Sequence, residues 1–293
     1  MKEIVVLSGK GGTGKTVLLA SFASLASRAT IADCDVDAPN LHLLLTPKVR
    51  ERGKFKSRKV AVIDGRLCDS CKKCVNVCRF DALSIVGSKR VQKVAVDQDA
   101  CEGCGLCVRV CDSRAVRLEE QETGEWFVSE TRFGHMVHAL LAPGGENSGK
   151  LVAFVKYKAK TLAKEIGSEL VLVDGPPGLS CPAISAAAGA DLVVLVAEPT
   201  VSGLSDFSRI AELCSHMKSK AALVVNRWDI NPRIAESIET EAARWGIRSL
   251  GRIPYDDNIP VLLASCNVPT EAGDGGEAKA AIVSIWNRLM EML

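Results

Sequence analysis

The octapeptide GKGGTGKT at residues 9 to 16 constrains this 293-residue chain more than any other stretch. It satisfies G-x-x-x-x-G-K-[ST], follows the apolar run EIVVLS and precedes the periodic segment VLLASFASLAS. That order reads as strand, phosphate-cradling loop and helix. Gly9, Gly11, Gly12 and Gly14 let the backbone N–H groups of the loop, with those of Lys10 and Thr13, converge on phosphate oxygens, and the helix N-terminus adds its positive dipole end. Lys15 would reach the β- and γ-phosphates of ATP, and Thr16 would ligate Mg²⁺. An ordinary glycine-rich turn is the plain alternative, and the strand-loop-helix context argues against it.

The same alternation continues along the chain. TIADCD, ELVLVDG, DLVVLVAEP, KAALVVN and IRSLGRIP are short, fully apolar strands separated by amphipathic segments. A strand buried on both faces has no polar side, so the pattern predicts an α/β fold with a doubly wound, mostly parallel sheet. Ligands of such sheets sit beyond the strand C-termini. Two carboxylate loops lie there: ADCDVDAPN, with Asp33, Asp35 and Asp37, and LVLVDGPPG, with Asp174. Asp174 suits the Mg²⁺-water role and Asp35 the orienting of the attacking water. Asp33 and Asp37 serve equally well as helix caps or turn formers.

Net charge is +2, from 37 basic and 35 acidic residues, which gives no reason to expect nucleic acid as a partner. The N-terminal apolar run is too short for a signal peptide, and the most apolar region, 182 to 199, is broken by Asp191 and suits a helix followed by a buried strand. We therefore expect a cytoplasmic protein without a stable membrane anchor. The final segment, AAIVSIWNRLMEML, is expected to pack on the sheet, since its polar face carries no basic stripe. Twelve cysteines in a reducing compartment point to metal or redox chemistry instead of disulfides.

Eight of those cysteines repeat one spacing. C-x₂-C-x₂-C-x₃-C occurs at Cys68, Cys71, Cys74 and Cys78, and again at Cys101, Cys104, Cys107 and Cys111, with Asp64 matching Asp97 and Ala82 matching Ala115. A repeat this short buries little apolar surface, so metal is the natural tie. Zinc sites usually pair two C-x₂-C units across a longer loop, which this run does not resemble. It resembles the bacterial two-cluster ferredoxins, in which the fourth cysteine of each run ligates the other cluster. That likeness implies one [4Fe-4S] centre on Cys68, Cys71, Cys74 and Cys111, and a second on Cys101, Cys104, Cys107 and Cys78. The ferredoxin pattern places Pro after the fourth cysteine, whereas Arg79 and Asp112 stand here. The basic run KVRERGKFKSRK before the repeat reads as linker or edge strand, with a docking patch as the lesser alternative, and VRLEEQETGEWFV after it as a hairpin around Thr123 and Gly124.

Lys10, the extra lysine early in the loop, makes the chain resemble the deviant Walker A ATPases of the MinD/ParA/Mrp class, to which the nitrogenase iron protein also belongs. AEPTVSGLSDFSR, VVNRWD and GRIPYDDNI are similar to that class as well. The resemblance implies a dimer, with itself or with a related ATPase, in which Lys10 reaches the partner's nucleotide as an arginine finger would. It also implies that Asn226 and Pro254 line the base pocket. Cys181 falls near where the nitrogenase iron protein carries a cluster-ligating cysteine, but the second such position falls near Asn147, which is no ligand. Cys34, Cys214 and Cys266 are expected in the core. His135 and His138, three apart in a strand, face opposite sides and form no metal pair.

The whole resembles MinD-superfamily ATPases with an inserted ferredoxin domain: residues 1–60 and 119–293 form the ATPase, and 61–118 the insert. The leading expectation is an ATPase that gates electron transfer through two clusters to a redox or iron-sulfur partner protein. A cluster carrier of the Mrp kind and a positioning ATPase of the MinD/ParA kind are the alternatives.

Overall fold

The computed structural model describes residues 1–26, 28–88, 91–142, 148–273 and 276–293. The chain runs β1 (Lys2–Ser8), α1 (Lys15–Leu25), β2 (Thr30–Asp33), α2 (Leu41–Leu45) and β3 (Lys48–Ile63). It continues through α3 (Lys73–Val77), β4 (Leu83–Ser88), β5 (Val91–Val96), α4 (Leu106–Arg109), β6 (Val116–Thr131) and β7 (Gly134–Leu141). There follow α5 (Ser148–Glu165), β8 (Leu170–Pro177), α6 (Cys181–Ala187), β9 (Leu192–Ala197), α7 (Val201–His216) and β10 (Ala221–Asn226). The last elements are α8 (Pro232–Arg244), β11 (Arg248–Ile253), α9 (Asn258–Ala264) and α10 (Glu277–Met290).

The main sheet has the order β11-β10-β9-β1-β8-β2-β7-β6-β3. From β11 to β7 the pairing is parallel. Each of β1, β8, β9 and β10 is buried almost throughout because helices cover both faces. Ile4 and Val6 pack with Leu18, Phe22 and Trp286, and the Phe22 and Trp286 rings lie 5.3 Å apart, so α1 and α10 share one face of the sheet. Val5 and Leu7, equally buried, point to the other face by the strand's two-residue period. The C-terminal helix thus packs on the sheet through Ile282, Ile285, Trp286 and Leu289. No helix among the described residues is long and apolar enough to cross a membrane.

Two compact units emerge. One comprises Met1–Gly53, Glu125–Leu141 and Ser148–Leu293; the other is Lys54–Gly124 together with Ala142. The basic run is an edge strand, β3. The hairpin expected at Thr123 and Gly124 is not formed: β6 runs unbroken from Val116 to Thr131, and the chain turns instead at Arg132 and Phe133 before β7. Thr123 is buried and its hydroxyl lies 2.8 Å from that of Ser57, so a side-chain tie and the ladder outweigh the turn preference of Thr-Gly.

The smaller unit carries the repeat as an internal two-fold. Left-handed residues recur 33 positions apart: Ser70 (φ 57°) with Gly103 (φ 61°), Lys72 (φ 66°) with Gly105 (φ 77°), and Asp81 (φ 52°) with Arg114 (φ 53°). The N–H of Asp64 donates to the Ala115 carbonyl and that of Asp97 to the Ala82 carbonyl, both at 2.8 Å, the same bond made once from each half. Its core is small, with Val60, Ala61, Ala82, Leu83 and Val116 packed among cysteines.

Candidate nucleotide site and cysteine unit

Beyond the C-terminal ends of β1, β2 and β8 the loop of residues 9 to 14 leads into α1. Gly14 precedes the helix in the left-handed conformation (φ 92°); among the described residues no side chain caps the first turn, and no acidic residue sits in it. The leading N–H groups remain available to an anion. A Cβ on Gly14 would lie 2.4 Å from Asn226 Nδ2, so only glycine fits. Asn226, at the end of β10, donates from Nδ2 to the Thr13 carbonyl at 2.8 Å and accepts the Arg227 N–H at 3.0 Å. Its amide braces the loop. Asn226 and Pro254 also line one cavity, with Val17, Arg227 and Tyr255.

Thr16 Oγ1 donates to Asp174 Oδ2 at 2.7 Å. Asp174 is buried, and its Oδ1 has no hydrogen-bond partner among the described residues. Burial pushes its pKa up to about 6, with Lys15 and the Thr16 bond pulling down and Asp35 pushing up. An orphaned buried carboxylate oxygen beside a threonine hydroxyl suits a hydrated Mg²⁺. Asp33 pairs with Asp174 across β2 and β8 and is fully buried. It accepts the Asp35 N–H at 3.1 Å, a turn-forming contact, while its Oδ2 is unpartnered among the described residues. Burial and the charge of Asp174 hold its pKa well above the carboxylate range. Asp35 is half-buried, and burial raises its pKa against the pull of Lys15. Asp37 is exposed.

Lys10 is held within its own chain. Its Nζ lies 2.5 Å from Glu198 Oε1 and 3.1 Å from the hydroxyls of Thr200 and Ser202. Glu198 was not anticipated, although the rule that found Asp174, a carboxylate after an apolar strand, applies to it equally. Glu198 also faces Arg227 at 3.6 Å.

Cys34 and Cys214 are buried, and burial drives the Cys214 thiol up to about 11. Cys266 departs from the core expectation: it is partly exposed and left-handed (φ 57°), because the chain turns directly after α9. Cys181 opens α6 and is exposed. Asn147 lies outside the described residues. His135 lies 4.0 Å from Glu130, whereas His138 stacks on Phe127 and bonds Ser129 Oγ at 3.0 Å, so the two make no pair.

In the smaller unit seven of the eight cysteines fall into two groups, and the eighth, Cys71, is exposed. Burial raises the Cys74 thiol, and Cys68 and Cys111 add to that rise. Burial likewise raises Cys107, with Cys101 and Cys104 adding to it. One cavity is lined by Cys78, Cys101, Cys104 and Cys107 together. The fourth cysteine of each run therefore sits with the other run, as cross-ligation requires. Backbone amides already point at sulfur: Ala61 N–H to Cys101 Sγ at 3.4 Å and Ala115 N–H to Cys111 Sγ at 3.3 Å. A Cβ on left-handed Gly103 would meet the Lys59 carbonyl at 2.2 Å, so the Cys101–Cys104 loop closes on β3 only through glycine. No three His, Cys, Asp or Glu side chains among the described residues converge tightly enough for a single metal ion. The sulfurs around a cubane stand farther apart than ligands around a lone ion.

Comparison with known proteins places residues 4–266 in the CobQ/CobB/MinD/ParA nucleotide binding domain. An uncharacterized protein of Methanocaldococcus jannaschii is 31% identical over 294 residues, covering 99% of this chain and 97% of that one. Among solved structures, the cell division ATPase MinD of Pyrococcus furiosus superposes with a TM-score of 0.58 at 17% identity, over 100% of this chain and 99% of that one. The septum site-determining protein MinD of Pyrococcus horikoshii, complexed with Mg-ADP, gives 0.56 at 17% identity, over 98% and 95%. At these identities the structures speak for the fold alone.

Proposed function

The chain belongs to the CobQ/CobB/MinD/ParA nucleotide-binding family, and from that premise we propose that it is a Mg²⁺-dependent ATP-hydrolysing switch of the MinD/ParA kind, acting in the cytoplasm as a dimer with itself or a related chain. The observation that carries this is the unpaired Oδ1 of Asp174 beside Thr16 at the mouth of a glycine loop. Lys15 and the loop amides bind the β- and γ-phosphates, Thr16 and Asp174 hold the metal and its water, and Asp35 orients the attacking water. The bound Mg²⁺ supplies charge neutralisation on the transferring phosphate. Lys10 leaves Glu198 to stabilise the developing charge in the partner's site. Support comes from the family membership and from the fold shared with a cell division ATPase and with a protein complexed with Mg-ADP. Steady-state hydrolysis in Mg²⁺ tests it: the wild type turns over, Lys15→Ala does not, and equal rates in both contradict it.

A second reading, electron transfer to a partner protein, is favoured by the cysteine grouping. Cys68, Cys71, Cys74 and Cys111 would hold one [4Fe-4S] cluster, and Cys101, Cys104, Cys107 and Cys78 the other; each would store one electron. Redox titration separates this from a positioning role, for which potentials are immaterial, and from a carrier role, in which iron leaves for an apo-protein on mixing.

A further inference from the structure

The two halves of the cysteine unit share a backbone but not a surface. On the half that carries Cys78, Cys101, Cys104 and Cys107, Phe80 and Leu106 line the cavity beside the sulfurs and are 45% and 39% exposed. Val108, 36% exposed, lies nearby on α4. Arg79 adjoins Phe80, and Arg109 stands one turn from Leu106; both are exposed. Glu102 lines the cavity too, and Asp81, next to Phe80, is exposed.

A shift of 33 residues leaves Val108 apolar, as Val75, but turns four of these positions into something polar or neutral. Phe80 becomes Ser113, Leu106 becomes Lys73, Arg79 becomes Asp112 and Arg109 becomes Asn76. Lys73 and Asp112 are spent on each other in an ion pair. Leu67, Arg66 and Lys72 are exposed on the other half, so the contrast lies in these four positions alone, and an internal repeat has no folding reason to keep it, since isolated exposed apolar side chains contribute little to stability.

We propose that the Phe80–Leu106 face, ringed by Arg79 and Arg109, is the docking surface for a small acidic electron-carrier protein, and that electrons enter through the cluster on Cys101, Cys104, Cys107 and Cys78. This rests on the reading that the eight cysteines hold two cubanes. Charge names the occupant: residues 54 to 124 contain fourteen Lys and Arg against ten Asp and Glu, so an acidic surface is drawn to this unit. The apolar centre provides a dry contact over the sulfurs, and the small area suits the brief encounters of redox partners. In the encounter one electron leaves the reduced centre of the carrier and enters the cubane; the carrier is oxidised by one, the cubane is reduced by one, and no bond or proton moves.

The test is stopped-flow reduction of the anaerobically purified protein by a reduced, net-negative two-cluster ferredoxin, with the dissociation constant measured in parallel by calorimetry. Iron and sulfide per chain are assayed in every variant. Arg79→Glu with Arg109→Glu is expected to weaken binding and slow the second-order step by about tenfold at low salt and to flatten its salt dependence. Phe80→Ser is expected to raise the dissociation constant, while Lys73→Glu and Asn76→Arg on the opposite side change neither quantity. Equal binding and rates in all fully metallated variants overturn the docking surface and leave the clusters standing; a wild-type chain without iron overturns the cluster reading instead. Self-association through this face, seen as a concentration-dependent mass that Phe80→Ser abolishes, makes the occupant a second copy and also overturns the proposal.

Discussion

Thr16 Oγ1 and Asp174 Oδ2, 158 residues apart in sequence, are joined by a 2.7 Å hydrogen bond that ties the first turn of α1 to the interior of β8. The bond leaves the other carboxylate oxygen buried and unpaired, in a pocket where Asp33 and Asp35 press like charge upon it. Without a cation the cluster of acids is costly. The arrangement is poised for a divalent ion and the phosphates it accompanies.

Asp174→Asn removes that charge while keeping an acceptor for Thr16. Hydrolysis is expected to fall at least about 10²-fold and to lose its dependence on Mg²⁺ concentration, with the fold intact by circular dichroism. Retained Mg²⁺-dependent turnover contradicts the assignment.

Lys10→Ala is expected to bind ATP normally and to hydrolyse it about 10³-fold more slowly, the order of effect lost with an arginine finger. Mixed with Lys15→Ala chains, it should recover activity, because each mixed dimer has one loop with Lys15 that receives Lys10 from its neighbour. Titrating one variant into the other checks this; additive, unrescued rates place Lys10 in its own site.

Gly14→Ala is expected to cost on the order of 1–3 kcal/mol and to abolish nucleotide binding, since the residue has φ 92° and its new Cβ meets Asn226 Nδ2 at 2.4 Å. Asn226→Ala relieves the collision but not the left-handed backbone, so the double variant recovers only part of the loss. Chemical denaturation with and without ATP measures both.

His138 is half-buried, and desolvation together with the charge of His42 lowers its pKa to about 4. Its unfolded value is about 6.5. A histidine with a depressed folded pKa is neutral in the native state, so the unfolded chain binds the proton first and stability falls as pH drops from about 6.5 towards about 4. Denaturation midpoints for the wild type and His138→Gln should therefore converge on acidification, the variant losing less between those values.

Much of the nucleotide site was legible because it depends on local order: strand, loop and helix are contiguous, and Asp174 follows an apolar run as the geometry of open sheets demands. The repeat was equally plain, since a period of 33 in sequence became a period of 33 in left-handed backbone. What escaped depended on distant partners. Thr123 and Gly124 carry turn chemistry, yet Ser57 and the ladder hold them extended. Glu198 as the holder of Lys10, and Asn226 as a brace for Thr13, join positions about 190 and 213 residues apart, and no local pattern announces such contacts. Cys266 looked like core by residue type, but the turn after α9 carries it outward.

A phosphate-binding loop and two cubanes in one chain are what the proposed roles require. The most direct test is iron and acid-labile sulfide per chain in anaerobically purified protein, beside bound zinc. About eight irons and about eight sulfides are predicted, falling to about four of each when one set of four cysteines is replaced by serine. Stoichiometric zinc without sulfide, or a fully folded chain containing neither metal, would contradict it.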